Sequence, residues 1–363
     1  MWARPECRNR PAGDIVGAMK SSIRFPVLFA VTAGCLAAQP APPGMDPFDQ
    51  AAVMKRGVNI IGYDPIWDNF DKARFHERHF QRIHDGGFQT IRVNLQAFSH
   101  MNAQNQLDPA WLKTLDWVVK SALANNLTVI LDEHDFEFCS HDADACRTKL
   151  LAFWQQVAPL YANAPPAVLF EILNEPNGQL NAVRWNALMN EALALIRQTN
   201  PTRNIVIGGA MWNNLSPAIL KQLELPTDDR HIIVTVHYYL PMNFTHQGAS
   251  WSPMTKNLSG VSWGSDAEKQ HVVADFAAVQ KWACAQSRPI LLGEFGAYDK
   301  GPLASRVVYT SWVARTAESM GWAWTYWQFD SNFIVWDMDK DAWFEPIWKA
   351  LIPETPPTAP PAT

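Results

Sequence analysis

Eight short apolar runs, separated by amphipathic stretches, constrain this sequence more than any other feature. They lie at 56–62 (RGVNIIG), 88–95 (FQTIRVNL), 127–133 (LTVILDE), 167–173 (AVLFEIL), 204–209 (NIVIGG), 231–237 (HIIVTVH), 289–294 (PILLGE) and 321–327 (GWAWTYW). The runs are continuous rather than alternating, so each strand is buried on both faces, as in a parallel sheet covered by helices. The stretches between them read as helices. Pro109 opens one, with Trp111, Leu112, Leu115, Val118, Val119 and Leu123 on one stripe; a second carries Trp185, Leu188, Met189, Ala192, Leu193 and Ile196; a third runs through Val272, Val273, Phe276 and Val279. Eight βα units in about 300 residues predict an α/β protein built as a single closed (β/α)8 TIM barrel. An open doubly wound sheet is the alternative, but no glycine-rich phosphate fingerprint follows the first run.

The ends of the chain read differently. Residues 1–18 show no apolar periodicity. Met19 and Lys20 then precede Arg24 and a brief apolar run, Phe25 to Val31, followed by small residues. That order is a secretory signal, which makes Met19 the expected true start and 1–38 a leader cleaved near Ala37-Ala38. The run is far shorter than the ~20 residues that span a bilayer, so no transmembrane segment is expected. Thr32 to Cys35 offers a lipoprotein-type alternative, with anchoring through Cys35. Residues 39–47 hold four prolines and read as a linker, and 353–363 hold five and read as a stiff Pro/Thr-rich tail. The folded barrel domain is therefore expected at 48–352, in a protein that is secreted, extracellular or periplasmic. Outside the cytosol Cys139 and Cys146, in the loop EFCSHDADACR, can form a disulfide; His141 and the neighbouring acids leave a metal site open as the other reading. Cys284, in KWACAQ, reads as a small buried hydrophobe.

Charge narrows the function. Lys and Arg number 30 against 35 Asp and Glu, and no basic block concentrates a positive field, which disfavours nucleic acid as a partner. The 17 tryptophans hint at a flat ligand such as a sugar ring, although packing explains any one of them.

Polar residues close most of the runs. Arg92 and Asn94 end the second, His134 follows the third, and Asn174 with Glu175 follow the fourth. His237 and Tyr239 end the sixth, Glu294 the seventh, and Trp327 with Gln328 the eighth. Strand C-termini of a barrel converge on the rim that carries the chemistry. Chains return to solvent at strand ends, which accounts for one such residue but not for this set. Two carboxylates at strand ends suit glycoside hydrolysis, where one protonates the leaving oxygen and the other acts on the opposite face of the sugar. The pair must differ in pKa. Arg92 and Tyr239 are placed to keep Glu294 ionised, while apolar neighbours and its partner's charge raise Glu175.

The strings LNEPN (173–177), HYY (237–239) and GEFG (293–296) resemble the signature of family 5 glycoside hydrolases. The likeness runs from about residue 56 to 350, and the order Arg, His, Asn-Glu, His-x-Tyr, Glu, Trp fits. The resemblance implies Glu175 as general acid/base and Glu294 as nucleophile of a retaining enzyme. It further implies that Arg92 bonds the nucleophile, Asn174 contacts the sugar 2-hydroxyl, His134 and His237 line the cleavage subsite, Tyr239 holds the nucleophile and Trp327 stacks on the ring. The phrase FTHQGASW (244–251) looks most like endoglucanases, so the expected substrate is β-1,4-glucan, in cellulose or mixed-linkage glucan, with mannan or xyloglucan as alternatives. Trp251, Trp212, Trp67 and Trp336 are candidate platforms along a cleft. No cofactor and no metal are expected, and the chain is read as a monomer. A metal-dependent hydrolase using Asp132, His134, Asp135 and His237 lacks paired-ligand spacing, and a non-catalytic sugar-binding barrel would lack one of the two Glu.

Overall fold

Strands that neighbour one another in the sequence also neighbour one another in space. The computed structural model describes residues 44–354. In it β1 (Arg56–Ile60), β2 (Thr90–Leu95), β3 (Thr128–Glu133), β4 (Val168–Glu171), β5 (Ile205–Gly208), β6 (Ile232–Tyr238), β7 (Ile290–Phe295) and β8 (Ala323–Tyr326) form a closed parallel barrel in that order, with β1 pairing β8. This is the (β/α)8 barrel that the eight runs predict. The helices read from periodicity are present. Pro109–Ala124 starts at an Asp108 cap with proline in its first turn; Ala182–Arg197 starts at an Asn181 cap; Asp266–Gln286 starts with a Ser265–Glu268 capping box.

Register sets which side chains meet. Asn59 lies opposite Arg92, Asn94 opposite Asp132, Asp132 opposite Glu171, and His237 opposite Glu294. Successive residues of a strand point to opposite faces, so Asp132 shares a face with Ile130 and Glu171 with Leu169, while a register shift between β6 and β7 brings Glu294 above Leu291. At the lower end that face carries Ile130, Leu169, Val206, Ile233, Leu291 and Ala323, which pack with Met54 as one buried cluster drawn from six strands. Met54 ends the helix Pro47–Met54. Burying each of the larger side chains there stabilises the fold by about 1.5–3 kcal/mol. The opposite face of the strands joins the helices in a much larger core that includes Trp111, Trp154, Trp185, Trp322 and Trp324. Packing therefore explains much of the tryptophan content. Two of these indoles also hold backbone near the rim: Trp154 donates to the carbonyl of Ile172 at 3.0 Å and Trp185 to that of Gly208 at 2.8 Å.

The leader, Cys35 and most of the proline-rich tail lie outside the described residues. The linker reading of 39–47 ends early: Pro47 opens a helix capped by Asp46, because proline suits a first helical turn as well as a linker. Cys139 and Cys146 are joined by a disulfide and are fully buried. Cys284 is half-buried and belongs to no core cluster. Among the described residues no helix is long and apolar enough to cross a membrane.

Candidate active site

Arg92 organises the interior above the apolar floor. It is wholly buried, and all five of its N–H donors are placed. Nε donates to Glu171 Oε2 at 2.7 Å and Nη2 to Glu171 Oε1 at 2.8 Å, a two-pronged clamp. Nη1 donates to Asn59 Oδ1 at 2.8 Å and to Glu294 Oε1 at 2.7 Å, and Nη2 also donates to Asn174 Oδ1 at 2.8 Å. Asp132 Oδ2 stands 3.1 Å from the same guanidinium. One cation thus faces three close carboxylates. Burial pushes Asp132 up to about 7 and raises Glu171, against the pull of Arg92. Burial thus favours the protonated forms of both acids, while Arg92 favours the charged ones.

Glu294 is 4 % exposed and receives two strong donors, Arg92 and the Tyr239 hydroxyl at 2.8 Å. Burial raises its pKa, while His237 and Arg92 oppose the rise. Glu175 sits just beyond β4 with a left-handed backbone, φ 42°, which is uncommon for a residue with a side chain. Its side chain pairs with His237, whose Nδ1 lies 2.7 Å from Oε1, and among the described residues no guanidinium bonds it. Burial pushes Glu175 up to about 7. Glu175, His237 and Glu294 each offer one atom such that the three lie within 4.8 Å of one another. Two carboxylates thus share one small space, one braced by a cation and a phenol, the other free to hold a proton.

The remaining predicted residues surround that space. His134 Nδ1 is 2.6 Å from Asp132 Oδ2, and its Nε2 faces Asn174 Nδ2 at 3.4 Å. The His134 ring lies nearly parallel to Trp327, 7° between planes and 5.6 Å between centroids. Burial lowers both His134 and His237 to about 4, so both are neutral at neutral pH. Arg92, His134, Asn174, Glu175, His237, Tyr239, Glu294 and Trp327 are all brought to one end of the barrel.

The candidate platforms divide. Trp212 and Trp251 are exposed, 47 % and 51 %. Trp212 follows β5, and its backbone N–H donates to the Pro176 carbonyl at 3.2 Å, beside Glu175. Trp251 stands edge-on to Tyr298, which clusters with Trp327 and Phe333. Trp67 is a correction: it is buried and packs on Trp111 at 5.2 Å, because the loop after β1 folds back onto the helix Pro109–Ala124. Trp336 is also buried, stacked on Phe329. Of the metal-ligand alternative, Asp132 is engaged by Arg92 and His134, and Asp135 accepts from the Phe98 N–H at 2.8 Å, so the four residues form no common site.

Sequence reasoning missed Asn59, Glu171, Asn213 and Tyr63. Asn59 and Glu171 leave a trace in the sequence, since each is a polar residue inside an apolar run and so needs a buried partner. Tyr63 is exposed and edge-on to Trp327 at 6.3 Å; a loop tyrosine carries no such trace.

Comparison with known proteins gives the family and the fold. The family model described as cellulase (glycosyl hydrolase family 5) matches residues 53–333. Cel5A of Thermotoga maritima in complex with cellobiose superposes with a TM-score of 0.80 at 35% identity, over 85% of this chain and 100% of that one. The same enzyme in complex with mannotriose superposes with a TM-score of 0.80 at 34% identity, again over 85% and 100%. Endoglucanase H of Acetivibrio thermocellus is 26% identical over 324 residues, 86% of this chain and 34% of that protein. The chain thus spans about a third of that curated relative.

Proposed function

From the premise that the chain belongs to glycosyl hydrolase family 5, we propose that it is an endo-β-1,4-glucanase acting by retaining double displacement. The observation that carries this reading is the spacing and asymmetry of Glu175 and Glu294. Their nearest oxygens lie within 4.8 Å, which favours the ~5–5.5 Å between carboxyl groups of retaining enzymes over the ~6.5–9.5 Å that admits a water between them. Glu294 is the nucleophile. Arg92 and Tyr239 hold it ionised and aimed, and its oxygen forms the bond to the anomeric carbon as the glycosidic bond breaks. Glu175 is the general acid. Its burial keeps a proton on it near neutral pH, and that proton goes to the departing sugar oxygen. Glu175, now a carboxylate, takes a proton from water, whose oxygen displaces Glu294 and restores the β configuration. Asn174 is placed to meet the 2-hydroxyl, and Trp327 to face the ring held at the cleavage point.

Glucan is favoured by the relatives named endoglucanases and by exposed Trp212 and Trp251, whose flat faces suit equatorial sugar rings. A second reading, mannan, is favoured by the similar Cel5A structure holding mannotriose. Export is supported by the Cys139–Cys146 disulfide. The test is reducing-end release from carboxymethylcellulose, lichenan, mannan, xylan and xyloglucan, with proton NMR of the first products. Release from the two β-glucans first, as β-anomers, is expected. Mannan as the best substrate would replace the glucan reading, and α-anomers appearing first would replace the retaining one.

A further inference from the structure

Behind Glu175 lies a layer that double displacement does not by itself demand. Met211, Trp212 and Asn213 follow β5 with three consecutive left-handed conformations, φ 61°, 61° and 51°, and none is glycine. Strain of this kind persists where the surroundings fix it, and it collects at functional sites. The turn turns Trp212 outward and Asn213 inward, where Asn213 is fully buried. Asn213 Nδ2 lies 3.2 Å from His237 Nε2, and His237 Nδ1 lies 2.7 Å from Glu175 Oε1. Gly208 leaves room for this amide, since a Cβ there would stand 1.9 Å from Asn213 Oδ1 and 2.8 Å from Nδ2.

A neutral imidazole has one N–H and one acceptor nitrogen, and its neighbours decide which is which. If Asn213 donates to Nε2, the histidine proton must sit on Nδ1, and Nδ1–H donates to Glu175 Oε1. The opposite arrangement would leave the buried Asn213 amide N–H without an acceptor. An unpaired carbonyl oxygen is better tolerated than an unpaired N–H, and Oδ1 is the unpartnered atom here. The consequence reaches the substrate. With Oε1 already accepting from Nδ1–H, a proton on Glu175 is carried by Oε2. With the other tautomer, Glu175 would donate that proton to Nδ1 and withhold it from the glycosidic oxygen.

We propose that Asn213 is a positioning residue that fixes His237 as an Nδ1–H donor to Glu175 Oε1, so that the acid proton of Glu175 rides on Oε2. This rests on the reading of Glu175 as the acid. The other charged or titratable groups facing Glu175 and His237 are Tyr63 from the loop after β1, Arg92 from β2, Asp132 and His134 from β3 and its end, Glu171 from β4, Tyr239 from the end of β6 and Glu294 from β7. None of them bonds Nε2, so none sets the tautomer in Asn213's place.

Asn213→Asp is the discriminating variant. Aspartate tolerates the left-handed backbone but only accepts hydrogen bonds, so it demands a proton on Nε2. kcat/KM is measured on a cellooligosaccharide, whose leaving group needs a proton, and on 2,4-dinitrophenyl β-cellobioside, whose leaving group needs none. The variant is expected to lose on the order of ten- to a hundredfold on the first substrate and little on the second. Gly208→Ala, which pushes the same amide away without altering it, is expected to show the same split, and it serves if Asn213→Asp does not fold. Equal losses on both substrates, or no loss on either, in the variants that fold would overturn the proposal. Nitrogen-15 NMR of the His237 ring judges it without any substrate. The wild type is expected to carry the proton on Nδ1, and a proton on Nε2 would overturn the inference even where the glucanase reading stands. A wild type that cleaves neither substrate would instead remove the glucanase reading and leave the tautomer to be judged by NMR.

Discussion

The floor of the barrel and the layer directly above it are built from the same strands, two residues apart on β3 and β4, yet obey opposite rules. Ile130, Leu169, Ile233 and Leu291 form a dry plug. One step up the same faces of β3 and β4 carry Asp132 and Glu171, held with Asn59 and Glu294 around Arg92. The floor is a source of stability that any well-packed apolar set can supply. The upper layer is a weak source of stability, because the cost of desolvating its charges offsets most of their attraction. What it provides is two carboxylates a few ångströms apart with unlike partners among the described residues, Glu294 bonded by Arg92 and Tyr239, Glu175 by His237 alone. The difference teaches that stability and chemistry are separable along a single strand.

The largest expected effect would break that comparison at its top. Glu294→Gln and Glu175→Gln are each expected to lower kcat on soluble β-glucan by about a thousandfold or more, with far-UV circular dichroism unchanged. A near-wild-type rate in either would remove that residue from the chemistry. Arg92→Met comes next, since it strands Glu171, Asp132 and Glu294 without their cation. Urea unfolding is expected to show a loss of about 3–5 kcal/mol, and a loss below about 1 kcal/mol would mean the carboxylates need no common partner. The pH profile sharpens the asymmetry. Burial raises Glu175 to about 7, and the acid works only while protonated, so kcat/KM is expected to fall tenfold per pH unit above about 7. Glu294 must be ionised, and burial lifts it above its ordinary value, so the acid limb is expected above 4.5. A rate that stays flat to pH 9 would contradict a buried acid at Glu175. Smallest is a change in the floor: Ile233→Val is expected to cost about 0.5–1.5 kcal/mol and leave kcat within about twofold. A large drop in kcat would show that the floor and the layer above are coupled.

The sequence made the barrel legible because continuous β-branched runs and capped amphipathic helices agree with the fold at every level. The rim residues were legible because strand ends converge, and because LNEPN, HYY and GEFG carry a resemblance. What stayed hidden was set by loop geometry. Trp67 and Trp212 both sit in loops after a strand, and nothing in the residues says that one folds back onto Trp111 while the other turns outward. Asn213 was hidden for the same reason, since its role depends on three left-handed residues and on the space that Gly208 leaves. Asn59 and Glu171 were recoverable in principle, as polar residues embedded in strands that otherwise exclude them.

The central claim is that Glu294 attacks while Glu175 carries the proton. A 2-deoxy-2-fluoro cellobioside with a good leaving group slows the second displacement and lets the covalent intermediate accumulate. Peptide mass spectrometry of the inactivated enzyme is expected to find one fluorocellobiosyl group, on Glu294. A label on Glu175, or full turnover of the reagent to the α-anomer with no labelled peptide, would contradict the account.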